Sequence, residues 1–346
     1  MGADLDKNQK PTIERLELVK RNAAELINNE EAEHLLATKS RPTVYLGRAV
    51  TGPVHIGHLI PLRKLLDLQK AGFEVTVLLA DIHAALDDLK CSWEDLATRT
   101  EYTKKVVELS VDWQNKPKLV KGSDFQLNRD YQMDIFKMAT KLTVKNALHA
   151  ASEVTRMKNP KVSELIYPIM QALDEEYLSV DMQLGGLDQR HILVMARDYL
   201  PELGYRKRIE LMMPLMPSLL GPSVKMSSSI AGSHLKVHAS VKEIKDTING
   251  AYCPVGVVED NPLITFASLF ILPNEGKFLI TRANRFGGDV EITSEAQLKA
   301  LFLSKKLHPL DLKNYISEYL IRKLVGVREY FESNQDLLRE LGPKFQ

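Results

Sequence analysis

The spacing of apolar residues alternates between strand and helix periods through the first two thirds of the chain. Apolar positions recur at helical spacing between charges over 12–37 and again over 55–71, which predicts two helices. A β-branched and aromatic run at 43–47 predicts a strand, and the nearly continuous apolar run at 74–81 predicts a strand buried on both faces. Further predicted elements are a helix at 92–111, a strand at 118–120, helices at 131–149 and 163–178, a strand at 180–184 and a helix at 188–200. Strands that alternate with helices predict an α/β fold with a doubly wound parallel sheet of the Rossmann type.

The alternation ends after Pro214. The next segment holds Gly221-Pro222, a serine run and Gly232, a composition that predicts a loop and a domain boundary. Beyond it the pattern is mostly helical, and the last long element, 310–331, places its apolar residues along one face. We therefore predict an N-terminal helical segment at 1–38, a Rossmann-type domain at 39–231 and a smaller, mostly α-helical C-terminal domain at 233–346.

Composition excludes several classes of protein. The 346 residues are 44% hydrophobic and 26% charged, as in an ordinary globular protein of roughly two domains. The 46 basic and 45 acidic residues leave no overall basic footprint, so any contact with RNA has to use a local patch. Cys91 and Cys253 lack metal-ligand spacing, which favours reduced thiols in a cytoplasmic protein. No signal peptide is recognisable and no apolar stretch approaches about 20 residues, so no membrane segment is expected.

The first motif with a possible chemical role is Gly52-Pro53-Val54-His55-Ile56-Gly57-His58, at the start of a predicted helix. A helix N-terminus favours phosphate through its free N–H groups and its dipole. His55 and His58, spaced i and i+3, can donate hydrogen bonds to phosphate oxygens as charge develops there. The alternative is a chance pair of histidines that caps a helix. A zinc site is disfavoured because third and fourth ligands are lacking, so no protein-bound metal is predicted.

The second motif is Lys225-Met226-Ser227-Ser228-Ser229, in a loop flanked by glycine and proline. One lysine with three hydroxyl groups suits a polyphosphate whose negative charge has to be neutralised as pyrophosphate leaves. The alternative is a solvated serine-rich linker.

The two motifs in this order resemble the signatures of the class I aminoacyl-tRNA synthetases, His-x-Gly-His and Lys-Met-Ser-Lys-Ser. The resemblance implies that ATP is a substrate and that His55, Gly57 and His58 contact its phosphates and ribose. It also implies that Lys225 stabilises pyrophosphate, within a catalytic loop that comprises Lys225, Met226, Ser227, Ser228 and Ser229. Ser228 replaces the family's second lysine, so Mg²⁺ that arrives with ATP has to neutralise more of the charge. No other cofactor is expected.

A possible amino-acid pocket involves Tyr45 on the first strand and the predicted helix at 163–178. Tyr167, Gln171 and Asp174 fall on one face of that helix because they are spaced i, i+4 and i+7. A buried carboxylate is costly unless it has a partner, and a substrate hydroxyl would supply one. The alternative, that Asp174 belongs to a solvated acidic run with Glu175 and Glu176, remains open from the residues alone.

The segment 166–171 followed by Asp174 resembles the amino-acid-binding helix of archaeal and eukaryotic tyrosyl-tRNA synthetases, and 185–190 resembles their substrate loop. The resemblance implies that Tyr45 and Asp174 bind the tyrosine hydroxyl, and that Tyr167, Gln171 and Gln189 bind its amino group. The remaining implied contacts are Gly47 with tyrosine, Asp188 with ribose, and Thr51, Gly52, Gly185 and Gly186 with ATP. The segments 79–84 and 122–127 match further family segments that line the pocket. One departure is Gly47-Arg48-Ala49-Val50-Thr51-Gly52, which follows the eukaryotic-type pattern and not the archaeal Gly-Phe-Glu-Pro-Ser-Gly.

The C-terminal part holds Phe286, His308 and Asp311, residue types that can stack on and hydrogen-bond to a single-stranded base. The alternative is that Phe286 lies in the core and that His308-Pro309 only begins a helix. Resemblance to archaeal tyrosyl enzymes implies that these residues contact the anticodon of tRNA(Tyr), while Arg190 faces the acceptor stem. It also implies a homodimer formed by the catalytic domain, around a connective insertion at 111–165.

The sequence therefore predicts a ligase that activates L-tyrosine with ATP and transfers it to the 3' end of tRNA(Tyr). A tryptophanyl enzyme shares the fold and both signatures, but indole offers only one hydrogen-bond donor to a pocket of this kind. A small-molecule nucleotidyltransferase and a non-catalytic RNA-binding paralogue are further alternatives. The serine loop and helical C-terminal domain disfavour the former, and the intact motifs disfavour the latter.

Overall fold

A computed structural model describes residues 10–87, 90–153, 159–224, 226–227 and 230–346. They form two compact units. The sheet unit consists of the described residues within Met1–Thr51, Lys64–Lys104 and Trp113–Leu215, and the helical unit consists of those within Gly52–Arg63, Lys105–Asp112 and Met216–Gln346.

The secondary structure follows the chain in this order. The strands are β1 (Glu25–Ile27), β2 (Thr43–Ala49), β3 (Glu74–Ala80), β4 (Lys118–Lys121), β5 (Met182–Gly186), β6 (Ile209–Met213), β7 (Phe278–Ile280) and β8 (Val290–Ile292). The helices up to β6 are α1 (Thr12–Lys20), α2 (Asn29–Thr38), α3 (Ile56–Lys70), α4 (Asp81–Leu86), α5 (Leu96–Leu109), α6 (Arg129–Ala139), α7 (Val144–Ala151), α8 (Val162–Tyr177) and α9 (Arg190–Tyr199). The later helices are α10 (Val241–Gly250), α11 (Pro262–Phe266), α12 (Leu272–Glu275), α13 (Glu295–Leu303), α14 (Pro309–Lys323), α15 (Val325–Ser333) and α16 (Gln335–Glu340).

The sheet unit contains a six-stranded sheet in the order β1-β6-β5-β2-β3-β4. All neighbours are parallel except β1, which runs antiparallel to β6 at the edge. The strand order reverses between β2 and β5, and in such sheets ligands bind outside the carboxyl ends of the strands at this switch point. Here those ends carry Gly47 on β2 and Gly185 and Gly186 on β5. The predicted α/β fold class is confirmed.

Two predicted helices of the sheet unit are wrong in extent. The predicted helix at 12–37 is interrupted, because Asn22 and Asn28 adopt positive φ angles of 60° and 64°, and β1 between them pairs with β6. The predicted helix at 131–149 is two helices, since Thr143 caps the start of α7 with its hydroxyl. Strand β6 was absent from the prediction, although all five of its residues are buried.

The helical unit follows the predicted mostly helical pattern, with the antiparallel pair β7–β8 as an addition. The predicted helix at 310–331 is two helices, α14 and α15, separated at Leu324. The core of the helical unit is apolar and aromatic, and includes Phe266, Phe270, Leu312, Ile316, Leu320 and Phe331. Within the described residues of either unit, no helix has the length and apolar character needed to cross a membrane.

Candidate active site

Helix α8 presents its predicted polar face to the interior of the sheet unit. Tyr167, Gln171 and Asp174 are all buried, with 7%, 8% and 1% of their surface exposed. Glu175 is buried as well. The interpretation of Asp174 as part of a solvated acidic run is therefore wrong, and this carboxyl group needs polar neighbours.

Asp174 receives those neighbours from other elements. Its Oδ1 accepts hydrogen bonds from Gln126 Nε2 and from the Tyr131 hydroxyl, both at 2.8 Å. His83 Nε2 lies 3.7 Å from Oδ2. Burial raises the pKa of Asp174 to about 8 despite the two hydrogen bonds, and burial lowers the pKa of His83 to about 4. His83 is therefore neutral at pH 7, and its contact with Asp174 is not an ion pair.

Tyr45 on β2 belongs to the same cluster. Its side chain is fully buried, and its hydroxyl donates to the backbone oxygen of Gln171 at 3.3 Å. Burial together with the nearby charge of Asp174 raises the pKa of Tyr45 well above its ordinary value, so the phenol stays neutral. We call the site formed by Tyr45, His83, Gln126, Tyr131 and Asp174 the polar pocket.

The other end of this face of α8 reaches the carboxyl end of β5. Gln171 Nε2 donates to Gln189 Oε1 at 2.9 Å, and the Tyr167 ring packs edge-on against His83, with centroids 4.7 Å apart. A Cβ atom at Gly186 would lie 2.5 Å from Asp188 Oδ1. Glycine at this position avoids a clash with the end of the Asp188 side chain, which folds back over the strand end.

Three residues of the polar pocket had no assigned role in the sequence interpretation. His83 and Gln126 lay only within segments matched to the family, and Tyr131 was not singled out. Tyr131, Ile135 and Met138 follow helical spacing, so the tyrosine looks like an ordinary core residue. The close approach at Gly122, where a Cβ atom would lie 2.4 Å from Gln126 Oε1, is visible only in the structure.

The helical unit contains the first motif, and we call residues 52–58 the phosphate turn. The rings of His55 and His58 are stacked with centroids 3.6 Å apart. The backbone N–H of His55 donates to His58 Nδ1 at 3.1 Å, so neutral His58 carries its proton on Nε2 and can donate from that atom. The turn is held by backbone pairing, with Ile56 N bonded to Leu235 O and Val237 N bonded to Val54 O, both at 3.0 Å.

Part of the second motif contacts the first within the helical unit. A Cβ atom added at Gly57 would lie 2.8 Å from Met226 Sδ. The Ser227 backbone is fixed by Ser233, whose hydroxyl accepts from Ser227 N at 3.2 Å and donates to Ser227 O at 2.9 Å. Lys225, Ser228 and Ser229 lie outside the described residues.

The predicted RNA-contacting residues have different surroundings. Phe286 is 59% exposed and not part of the core, and the Arg285 guanidinium lies 4.8 Å from its ring centroid. His308 Nδ1 accepts from Leu310 N at the start of α14, as in the helix-start interpretation. Asp311 lies 3.6 Å from Arg282 Nη1.

Arg190 on α9 forms a two-pronged pair with Glu25. Its Nε lies 2.7 Å from Glu25 Oε2, and its Nη2 lies 3.0 Å from Oε1. Among the residues that the structure describes, no group of three or more histidine, cysteine, aspartate or glutamate side chains is arranged to hold a metal ion.

Comparison with known proteins gives a consistent family. The chain matches the family described as tRNA synthetases class I (W and Y) over residues 36–324. It is 45% identical to the tyrosine–tRNA ligase of Archaeoglobus fulgidus, over 91% of this chain and 97% of that protein. It is 38% identical to the cytoplasmic tyrosine–tRNA ligase of Danio rerio, over 92% of this chain and 61% of that longer protein. The crystal structure of Archaeoglobus fulgidus tyrosyl-tRNA synthetase complexed with L-tyrosine matches with a TM-score of 0.88 at 44% identity, covering 92% of this chain and 99% of that one.

Proposed function

The chain belongs to the class I tRNA synthetases of the tryptophan and tyrosine group, and from this premise we propose how its side chains carry out the reaction of a tyrosine–tRNA ligase. The enzyme activates L-tyrosine with ATP to tyrosyl-adenylate, releases pyrophosphate and transfers tyrosine to the 3' end of tRNA. The observation that carries the proposed roles is the buried carboxyl group of Asp174, which lies among neutral hydrogen-bonding groups.

The polar pocket selects the substrate hydroxyl. The phenol donates to Asp174 Oδ2, while Gln126 and Tyr131 occupy Oδ1. The Tyr45 hydroxyl turns from the Gln171 carbonyl to the phenol oxygen. Phenylalanine leaves the buried carboxyl group of Asp174 without this partner, and sites that hydrogen-bond a substrate hydroxyl reject the analogue that lacks it by about 10⁴–10⁵-fold, tyrosyl enzymes being themselves the reference example.

The amino group of tyrosine binds at the other end of α8. Tyr167, Gln171 and Gln189 supply neutral oxygen atoms to the ammonium group, and the Gln171–Gln189 hydrogen bond orients both amides. Asp188 binds ribose beside the close approach at Gly186. Gly47 contacts tyrosine, and Thr51, Gly52 and Gly185 contact ATP.

The activation step is an in-line displacement. A carboxylate oxygen of tyrosine attacks the α-phosphorus, the bond to the bridging β-oxygen breaks, and pyrophosphate leaves with the electron pair. His58 donates from Nε2 to a phosphate oxygen, His55 supports it by stacking, and Gly57 admits the nucleotide. The loop at 225–229 neutralises the pyrophosphate, with Lys225 as its cation. Residue 228 is serine where the family pattern has lysine, so Mg²⁺ that arrives with the ATP substrate neutralises more of the charge.

The tRNA contacts involve the exposed side chains of Phe286, His308 and Arg190 and the half-buried side chain of Asp311. Phe286 stacks on an anticodon base, with His308 and Asp311 at the base edge. Arg190 reaches the acceptor stem by exchanging its pairing with Glu25 for phosphate. The protein acts in the cytoplasm.

The sheet unit forms a homodimer through the insertion at 111–165. This region exposes large apolar side chains at Leu127, Met133, Phe136, Val144 and Val162. Large apolar side chains exposed within one region of the chain favour a protein interface. Light scattering of wild type and Phe136→Asp tests it: the variant is expected to become monomeric, and a monomeric wild type would refute the dimer.

Amino-acid-dependent exchange of pyrophosphate into ATP tests the activity, because it isolates the activation step. We expect exchange with tyrosine and none with phenylalanine or tryptophan. Charging of tRNA(Tyr) with labelled tyrosine tests the second step. Exchange supported by tryptophan, or by no amino acid, would refute the proposed substrate.

A further inference from the structure

Arg48 has an unusual environment at the carboxyl end of β2, the strand next to the switch point. Its side chain is half-buried, and its Nε is buried without a hydrogen-bond partner. Throughout the described residues, none forms a hydrogen bond or ion pair with the Arg48 guanidinium. Two buried arginines of the same unit have such partners, as Arg15 donates to Ala71 O at 2.7 Å and Arg197 donates to Glu31.

Among the described residues, the electrostatic neighbours that affect the pKa of Arg48 are the phenol groups of Tyr102 and Tyr167. Burial lowers the pKa of Arg48 to about 10, so the guanidinium is still a cation at pH 7. A cation removed from water without a counter-charge destabilises the fold, and it is stabilised when an anion binds beside it.

Tyr167 locates the anion that Arg48 would meet. In the proposed function, Tyr167 faces the ammonium group of the substrate. The carboxylate is attached to the same carbon atom as the ammonium, so it lies in the immediate neighbourhood of Tyr167. Arg48 and Tyr167 influence each other electrostatically, which places the guanidinium near this end of the substrate. Arg48 also belongs to the segment that departs from the archaeal pattern, which has phenylalanine at this position.

We propose that Arg48 is a substrate-binding residue whose guanidinium holds an anionic oxygen at the reaction centre, the carboxylate of L-tyrosine before activation. The assignment rests on the proposed function. The planar fork of a guanidinium matches the geometry of a carboxylate, so it orients the nucleophilic oxygen as well as attracting it. Once the adenylate forms, the carboxylate charge is lost and the α-phosphate offers the same chemistry to the same side chain.

The decisive experiment compares L-tyrosine with tyrosinol, which replaces the carboxylate with a neutral alcohol. Isothermal titration without ATP is done on wild type, Arg48→Met and Arg48→Lys. We expect Arg48→Met to lower the affinity for L-tyrosine at least about tenfold, as for loss of a hydrogen bond to a charged group. The affinity for tyrosinol should stay unchanged. Arg48→Lys is expected to restore part of the affinity for tyrosine. The tyrosine-to-tyrosinol ratio within one variant is insensitive to partial unfolding.

Arg41→Met is the matched control. Arg41 precedes β2, is 77% exposed and pairs with Glu74, so its loss is expected to leave both affinities unchanged. A KM for ATP that rises in Arg48→Met, with tyrosine affinity intact, would assign the α-phosphate as the anion. Equal weakening of tyrosine and tyrosinol, or no change in tyrosine affinity and in KM, would overturn the proposal. Wild type without tyrosine-dependent exchange would instead refute the proposed function.

Discussion

The polar pocket and the phosphate turn are built by different means. The pocket is a network of side chains that includes residues of β2, α4, α6 and α8, all buried, in which burial shifts pKa values strongly. The phosphate turn is a continuous stretch of seven residues held by backbone hydrogen bonds. The Met226 sulfur lies close beside its Gly57. A neutral phenol needs a precisely placed hydrogen-bond partner that is shielded from water. A phosphate needs N–H donors and space free of side chains. The difference predicts that pocket variants change selectivity and turn variants change nucleotide use.

Asp174→Asn gives the largest expected effect. The amide keeps the volume but supplies a weaker acceptor, so the preference for tyrosine over phenylalanine in exchange kcat/KM should fall by about 10³-fold or more. Asp134→Asn is the control, because Asp134 is an equally buried carboxylate that accepts from Lys137 and Tyr177. That variant should lose stability and keep its selectivity. Unchanged selectivity in Asp174→Asn would remove the pocket assignment.

The pH dependence of tyrosine binding is the next largest effect. In the free enzyme the Asp174 pKa is about 8, so the carboxyl group is protonated over most of the range below pH 8. A phenol that donates to the carboxylate lowers this pKa, so binding releases a proton. Tyrosine affinity should therefore rise with pH up to about 8, by at most about tenfold per unit, and then level off. Titration in buffers of different ionisation enthalpy measures the released proton, and Asp174→Asn should release none.

Gly57→Ala tests the phosphate turn. The new Cβ would lie 2.8 Å from Met226 Sδ and 3.2 Å from the His55 ring, so the Met226 side chain or the His55 ring has to shift. We expect KM for ATP in exchange to rise about tenfold, with the dissociation constant of tyrosine unchanged.

The double variant Gly57→Ala/Met226→Ala removes the contacting sulfur and should recover part of the loss. Gly326→Ala is the matched control, because nothing lies within 4 Å of a Cβ built there. Normal ATP kinetics in Gly57→Ala would mean that the close contact has no functional role.

The same contrast explains which features the amino-acid sequence predicts well. His55, Gly57 and His58 are neighbours in the chain, so the sequence alone displays their pattern. The alternation of strands and helices likewise predicted the parallel sheet, because period and burial act locally. Asp174 and its partners Gln126 and Tyr131 are 43–48 positions apart. Only tertiary packing brings these three residues together, so no local sequence pattern predicts their contact.

Errors in the predicted elements have a related cause. The segment 12–37 keeps helical spacing throughout, yet Asn22 and Asn28 turn the backbone and β1 joins the sheet. The gain is a hydrogen-bonded edge for β6, as in the bond from Ala24 N to Met212 O. Long-range pairing of this kind overrides local periodicity. A strand of only three residues is too short to show a recognisable pattern in the sequence.

Phe286→Ala is expected to give the smallest effect. It tests RNA recognition independently of the polar pocket and the phosphate turn. The exposed ring with Arg285 above it offers a stacking surface for a base, whose loss should lower kcat/KM for tRNA in aminoacylation about fivefold. Pyrophosphate exchange should stay unchanged, because neither the polar pocket nor the phosphate turn involves this residue. Leu279→Ala is the control, as Leu279 is a comparably exposed apolar residue of the same unit. If both variants or neither lower tRNA charging, Phe286 has no specific contact with RNA.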